Sequence, residues 1–300
     1  MAKITYRRVR RDELLNAGKL IRRSFNHLRK KNNRLIHKTV FNEIPPLYEH
    51  LFKTDREGFY GAYEGARMIG FGLSIMRGRQ WYLTDLFVAP GSQVKGVGRE
   101  LLKKCIRYGK NRADSYALCT FSYNEVALAL YSSLGMMPLY PIFAMNREVD
   151  KKLKIRPTVL KVVEDKSSQS ILKINRLEKV IRGYSRLADL RFFARNKDYR
   201  IYQFYNGARW VGYSVVHKNA LIGPAGSPYS KHIPDIVSES IRKSLEAGSK
   251  EVGVCIGANN GPLFDRLKSY AFRIEEMVVF LSSKPYSDLL RYVPADLGLY

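Results

Sequence analysis

Cysteine is scarce in this 300-residue chain: Cys105, Cys119 and Cys255 lie far apart, with no CxxC spacing. That excludes a disulfide-stapled scaffold, offers no zinc-ligand pattern and makes a reducing cytoplasm the expected compartment. The five histidines, His27, His37, His50, His217 and His232, share no ligand spacing either, so no metal is expected. No apolar run approaches the ~18 residues that a membrane-spanning helix needs. The opening MAKITYRRVRRDELL has basic residues with no apolar stretch behind them, so no secretory leader and no membrane partner are expected. Acidic residues are also few, 27 against 52 Lys and Arg, for a net charge of +25. The excess is +13 in residues 1–150 and +12 in 151–300. It therefore belongs to the body of the chain rather than to a basic tail, and it favours anionic partners such as phosphorylated cofactors, nucleic acid or acidic surfaces. The remaining mixture, 45% hydrophobic and 26% charged, is that of a folded protein long enough for two ordinary domains.

The first half reads as alternating strands and helices. Ile4–Arg10 is strand-like, and Asp12 can cap a helix with Leu14, Leu15, Leu20, Ile21 and Phe25 at helical spacing. An amphipathic piece at 40–52 is interrupted at Pro45-Pro46, and a hairpin turns at Gly65-Ala66-Arg67. The strand WYLTDLFVAP precedes a helix over 98–108 with Leu101, Leu102, Cys105 and Ile106 on one face. A strand at 115–120, a helix at 125–134 and an extended run at 137–147 follow. This order predicts an α/β (α+β) layer of helices on a mixed sheet. A charged stretch at 148–166 suggests a boundary, giving domains 1–150 and 151–300. The second half then echoes the first: RIYQFYNGARWVGYSVVHKN mirrors the earlier hairpin, and Asn260 stands eleven residues before Ala271 as Asn124 does before Gly135.

The sharpest local signal is VAPGSQVKGVGRELL, Val88 to Leu102. A strand ends, bare glycine backbone follows at Gly96 and Gly98, and a helix N-terminus contributes its partial positive charge, with Lys95 and Arg99 flanking. Such N–H groups can grip a pyrophosphate. No Gly-Lys-Ser/Thr follows, so this is not a Walker loop, and the third glycine of a Rossmann fingerprint is missing.

Val88, Pro90, Gln93, Gly96 and Gly98 in that order resemble the acetyl-CoA loop, Q/R-x-x-G-x-G/A, of the GNAT superfamily of N-acetyltransferases. Downstream, Asn124, Ala127, Tyr131 and Leu134-Gly135-Met136 resemble that family's N-x-x-A-x-x-x-Y-x-x-x-G-F element, with Met for the usual Phe. The resemblance covers residues 4–147 and implies two tandem GNAT-like domains, each a mixed, mostly antiparallel sheet flanked by helices. It further implies direct attack of a primary amine on acetyl-CoA in the first domain. The backbone of Phe87 and Val88 would bond the pantetheine arm, with the Val88 N–H near the acetyl carbonyl. Amides of Val94, Lys95, Gly96, Val97, Gly98 and Arg99 would hold the pyrophosphate, and Asn124 would contact the arm from the other side. Tyr131 would protonate the departing thiolate as general acid. Asp85, the only acid in its strand, is the candidate base; regular alternation puts it on the face of Phe87 rather than of Thr84 and Leu86.

The second half resembles the degenerate module of tandem GNAT proteins through Arg186, Gly212-Tyr213, Ile222-Gly223-Pro224 and 260–272. Its loop GPAGSPYSKHIPD lacks the glycine pattern, and Leu267 stands where the first half has Tyr131, so no acetyl transfer is expected there. The competing reading is a basic nucleic-acid-associated protein (RNA or DNA) in which acetyl-CoA binding is regulatory or vestigial. It rests on Arg7, Arg8, Arg10 and Arg11 and on Arg22, Arg23, Arg29, Lys30, Lys31, Arg34 and Lys38, charges that support only non-specific binding. Neither the amine acceptor nor the oligomeric state is legible.

Overall fold

A computed structural model describes residues 3–36, 42–92 and 96–300. They form two compact units, one of residues 1–118 and 123–136, the other of 119–122 and 137–300.

In the first unit, β1 (Ile4–Arg8) leads through a 3-10 turn at Arg11–Glu13 into α1 (Leu14–Lys31). Asp12 does not cap this start. The Glu13 carboxylate accepts the Arg10 N–H at 2.9 Å, while Asp12 pairs with the Arg10 guanidinium. Leu14, Ala17, Leu20 and Ile21 are the buried apolar stripe of α1, the i, i+3, i+6, i+7 pattern that turns one helix face to a sheet. Pro45-Pro46 opens the next helix rather than interrupting it: α2 runs Pro46–Asp55 with Pro46 at its first position, where the missing N–H costs nothing. The strands β2 (Phe59–Glu64), β3 (Arg67–Arg77) and β4 (Gln80–Val88), the helix α3 (Val97–Gly109), the strand β5 (Ser115–Phe121) and the helix α4 (Glu125–Ser132) follow.

The sheet order is β1-β2-β3-β4-β5, antiparallel except for the parallel β4–β5 pair. Its interior is held by Phe59, Phe71, Leu73, Trp81, Leu101 and Leu102, all buried, each worth ~1.5–3 kcal/mol relative to exposure. Beneath them lies a charged knot: Asp55 pairs with Arg77 at 2.7 Å and accepts from the Met76 N–H and the Tyr108 hydroxyl. The close approach of α3 requires Gly70 and Gly72, whose Cβ atoms would meet Leu101 and the Cys105 Sγ at 2.8 Å.

In the second unit, β6 (Met137–Glu148), read in sequence as the close of the first half, pairs antiparallel with β11 (Glu251–Gly257) and β12 (Arg273–Ser282). Between them in the chain come β7 (Lys161–Glu164), α5 (Ser168–Arg182), α6 (Leu187–Arg195), β8 (Tyr199–Asn206), β9 (Arg209–His217), β10 (Leu221–Gly226) and α7 (Ile233–Glu246). The helix α8 (Gly261–Ser269) separates β11 from β12, and a short β13 (Tyr292–Val293) comes last. Strand order is β12-β6-β11-β10-β9-β8-β7, with β13 on β10. The run α5 to β12 repeats the element order that begins at α1, so the duplicated, mostly antiparallel mixed fold is present in both units. Sequence reading passed over α5 and α6. Yet Ile171, Ile174, Leu177 and Ile181 recur at helical spacing and are buried, and Ser167 caps the start by accepting the Ser170 N–H.

Candidate active site

The site of the first unit is built on the outer half of β4. Its parallel ladder with β5 runs from Gln80↔Ser115 to Leu83↔Leu118 and ends there. On the other edge, β4 stays paired with β3 as far as Gly70↔Val88. Thr84–Val88 therefore lie beyond the β5 ladder.

A bulge shapes this half-strand. Leu83 faces Ser74 and Asp85 faces Leu73, so Thr84 is the extra residue. From there Asp85 and Phe87 share one face, the face of Leu73 and Phe71, while Leu86 and Val88 point to α3 with Gly72 and Gly70. The expected sharing of a face by Asp85 and Phe87 holds, although alternation is broken one residue earlier. On its face Asp85 accepts a 2.7 Å hydrogen bond from the hydroxyl of Tyr48 on α2. Sequence reading missed Tyr48: it lies 37 positions away, and no local pattern joins the two.

The N-terminus of α3 stands beside Val88. Gly96 takes φ +70° at the N-cap with no side-chain cap, and the helix starts at Val97. The first intrahelical bond runs from the Glu100 N–H to the Gly96 carbonyl at 3.2 Å, so the N–H groups of Val97, Gly98 and Arg99 are not used by the helix. Val97 is buried and anchors the turn. Gly98 packs close to β4, where a Cβ would lie 3.6 Å from Val88 Cγ2. The left-handed Gly96 is a position that L side chains rarely adopt. Arg99 is exposed. Gln93, Val94 and Lys95 lie outside the described residues.

Two residues of α4 complete the set. Asn124 caps the helix, its Oδ1 accepting the Ala127 N–H at 3.4 Å, and its amide nitrogen keeps no protein partner among the described residues. Tyr131 is the buried residue of α4. Burial, then the nearby Cys105 and Asp85, push its phenol above the ordinary tyrosine value of 10.0, so it carries its proton at neutral pH. Gly135, at φ +82°, closes the turn that returns the Met136 N–H to the Tyr131 carbonyl at 3.2 Å. Met136 is buried in the place of the family's usual Phe.

Other candidates separate from this cluster. The Cys105 thiol is buried and pushed up to about 12 by that burial, which leaves it inert. Cys119 is half-buried. The first basic cluster is largely paired: Arg7 with Glu13, Arg8 with Glu57, Arg10 with Asp12 and Arg11 with Glu49. In the second cluster Arg29 is buried and donates to the Leu35 carbonyl, and Lys38 lies outside the described residues. Neither cluster is a uniform stripe of free cations. Among the described residues no group of acids, histidines and cysteines is placed to hold a metal ion, and no helix is long and apolar enough to cross a membrane.

Comparison with known proteins points to one family of folds. Residues 24–136 match the sequence model of the acetyltransferase (GNAT) family. Thialysine N-epsilon-acetyltransferases are similar over part of the chain: the mouse protein is 32% identical over 85 residues, 26% of this chain and 50% of its own length. The bovine protein is 29% identical over 105 residues, 33% of this chain and 61% of its own length. The chain thus spans about half the length of the curated relatives it matches. Among solved structures, a candidate acetyltransferase from Pyrococcus horikoshii superposes with a TM-score of 0.80 at 16% identity, covering 99% of this chain and 96% of that one. A tandem GNAT protein from the clavulanic acid biosynthesis pathway superposes at 0.60 with 13% identity, covering 95% and 100%. The structural likenesses carry the fold, that of tandem GNAT structures, and residues 24–136 are similar to the GNAT acetyltransferase family.

Proposed function

We propose that the chain is an N-acetyltransferase that moves an acetyl group from acetyl-CoA to a primary amine, with its active site in the first half, residues 1–150. The observation that carries this reading is the junction of the end of the β4–β5 ladder at Leu83↔Leu118, the uncapped start of α3 at Gly96 and the buried Tyr131. The backbone of Phe87 and Val88 bonds the extended arm, the amides of Val97, Gly98 and Arg99 take pyrophosphate oxygens, and the Asn124 amide donates to the arm. By the sequence motif, Gln93, Val94 and Lys95 belong to the same cofactor-binding set.

The chemistry needs one proton removed and one supplied. A neutral amine adds to the thioester carbonyl, a C–N bond forms and the C–S bond breaks. Tyr131 gives its proton to the sulfur, and Asp85, held by Tyr48, takes the amine proton directly or through a water. No covalent enzyme intermediate is required. The relatives' name specifies the terminal amine of a side chain, and a net charge of +25 disfavours polycationic acceptors. A small neutral or anionic primary amine is the acceptor class that follows.

The test is release of free thiol from acetyl-CoA across a panel of primary amines, for wild type and Tyr131→Phe. Amine-dependent release that collapses in the variant supports the reading. A panel with no turnover, by a protein that is folded and binds acetyl-CoA, refutes it.

A further inference from the structure

We infer that the second unit carries its own ligand: residues 288–300, a turn, the two-residue strand β13 and a bent tail, fill the cleft where its parallel strands part. The β10–β11 ladder lasts only from Leu221↔Gly253 to Ile222↔Val254. Beyond it β10 turns to β13, pairing Ala225↔Val293 and Gly226↔Tyr292, and the Ser227 N–H reaches the Arg291 carbonyl at 3.0 Å. The parallel ladder of the first unit likewise ends early, at Leu83↔Leu118.

The fit is close on both walls. A Cβ on Gly223 would come within 2.0 Å of the Pro294 carbonyl oxygen, and one on Gly257 within 2.7 Å of the Leu289 side chain. Glycine is what lets the segment lie so near the two strands. Leu289, Tyr292, Val293, Leu299 and Tyr300 are all buried. Their removal would expose an apolar trough with unpaired backbone on β10, a state that folding avoids.

The asparagine caps make the parallel explicit. Asn260 caps α8 as Asn124 caps α4, its Oδ1 accepting the Leu263 N–H at 3.2 Å. Its amide nitrogen, however, donates to the Leu289 carbonyl at 2.9 Å. The group that is unpartnered in the first unit is satisfied by main chain in the second. A buried ionic latch holds the far end. Glu178 pairs with Arg186 at 2.7 Å and with Arg182 at 3.3 Å. Arg182 donates to the Tyr300 main-chain oxygen at 2.6 Å, and Arg186 donates to the Tyr292 hydroxyl. These side chains, otherwise costly to bury, are paired with the segment itself.

The second unit therefore binds a peptide strand where the first is proposed to bind a pantetheine arm, and acetyl-CoA is confined to the first. Only this last clause rests on the acetyltransferase reading. Hydrogen–deuterium exchange on the full chain, with and without acetyl-CoA, tests the segment directly. Amides of 289–293, those of Tyr292 and Val293 above all, are expected to exchange as slowly as those of β10 and to be unchanged by acetyl-CoA. Asn260→Asp is expected to speed their exchange about tenfold by removing one donor. Exchange of 289–293 within seconds in wild type, or further slowing on adding acetyl-CoA, overturns the inference. Calorimetry on the same sample is expected to give one acetyl-CoA per chain, and two would also overturn it. No binding at all refutes the first-unit reading, while the exchange rates of 289–293 still decide whether the segment fills the cleft.

Discussion

The Tyr48 hydroxyl donates a 2.7 Å hydrogen bond to Asp85 Oδ2, tying α2 to β4 one residue past the bulge at Thr84. With Asp85 as the proton acceptor, this bond fixes the carboxylate's direction. Asp85→Asn is expected to lower kcat/KM on the order of 100-fold. Tyr48→Phe is expected to lower kcat on the order of tenfold by releasing the carboxylate's orientation, with KM for acetyl-CoA unchanged. If both variants lose only thermal stability and keep the wild-type kcat/KM, Asp85 is structural.

Tyr131→Phe is expected to lower kcat by about 10²–10³ while leaving acetyl-CoA binding within about twofold, since a general acid acts on the departing group rather than on affinity. The sign of its pH dependence follows from the shift. Tyr131 must be protonated to act, and burial, Cys105 and Asp85 hold its phenol above 10.0. Its activity is therefore retained across neutral pH and fails only as pH rises past the ordinary tyrosine range. A wild-type alkaline limb near pH 8 that disappears in Tyr131→Phe would contradict this.

Asp55 and Arg77 form a pair whose side chains are 2% and 6% exposed. Asp55→Ala strands the guanidinium, the Met76 N–H and the Tyr108 hydroxyl together, and is expected to cost ~3–5 kcal/mol in urea unfolding. The double change Asp55→Leu with Arg77→Met is expected to cost less than Asp55→Ala alone. Additive losses would show that the pair is not coupled.

Glu13 reports on the acid side. Its hydrogen bond from Arg7 is the largest cause that lowers its carboxyl from 4.5 to about 2. A depressed carboxylate stabilises the fold above its unfolded value and loses that contribution as pH falls from about 4.5 towards 2. Arg7 is 41% exposed, so the contribution is discounted to ~1 kcal/mol. Melting temperatures of wild type and Glu13→Gln are expected to differ at pH 6 and to converge near pH 2. A constant difference across that range would contradict the assignment.

Periodicity and spacing made legible what is local. Leu101, Leu102 and Cys105 mark α3, Gly96 and Gly98 mark its bare start, and Asn124 and Asn260 each cap the helix that their spacing suggested. What escaped depends on tertiary context. Pro45-Pro46 reads as a break until α2 is seen to start there, and Asp12 reads as a cap until Glu13, bonded by Arg7, takes that role. The bulge at Thr84 is visible only in the β3 register, and Tyr48 meets Asp85 across 37 positions. The segment 288–300 has just two residues of strand. Its place is set by Gly223, Gly257 and the buried Arg182 and Arg186, none of which announces a cleft by itself.

Acetyl-CoA calorimetry on wild type and Gly98→Glu tests the central claim most directly. Gly98 lies in the first turn of α3 without a left-handed φ, so the substitution adds charge and bulk at the proposed pyrophosphate position with little backbone strain. The account predicts one acetyl-CoA per wild-type chain and none for the variant at equal thermal stability. Absence of binding by folded wild type, or undiminished binding by Gly98→Glu, would contradict it.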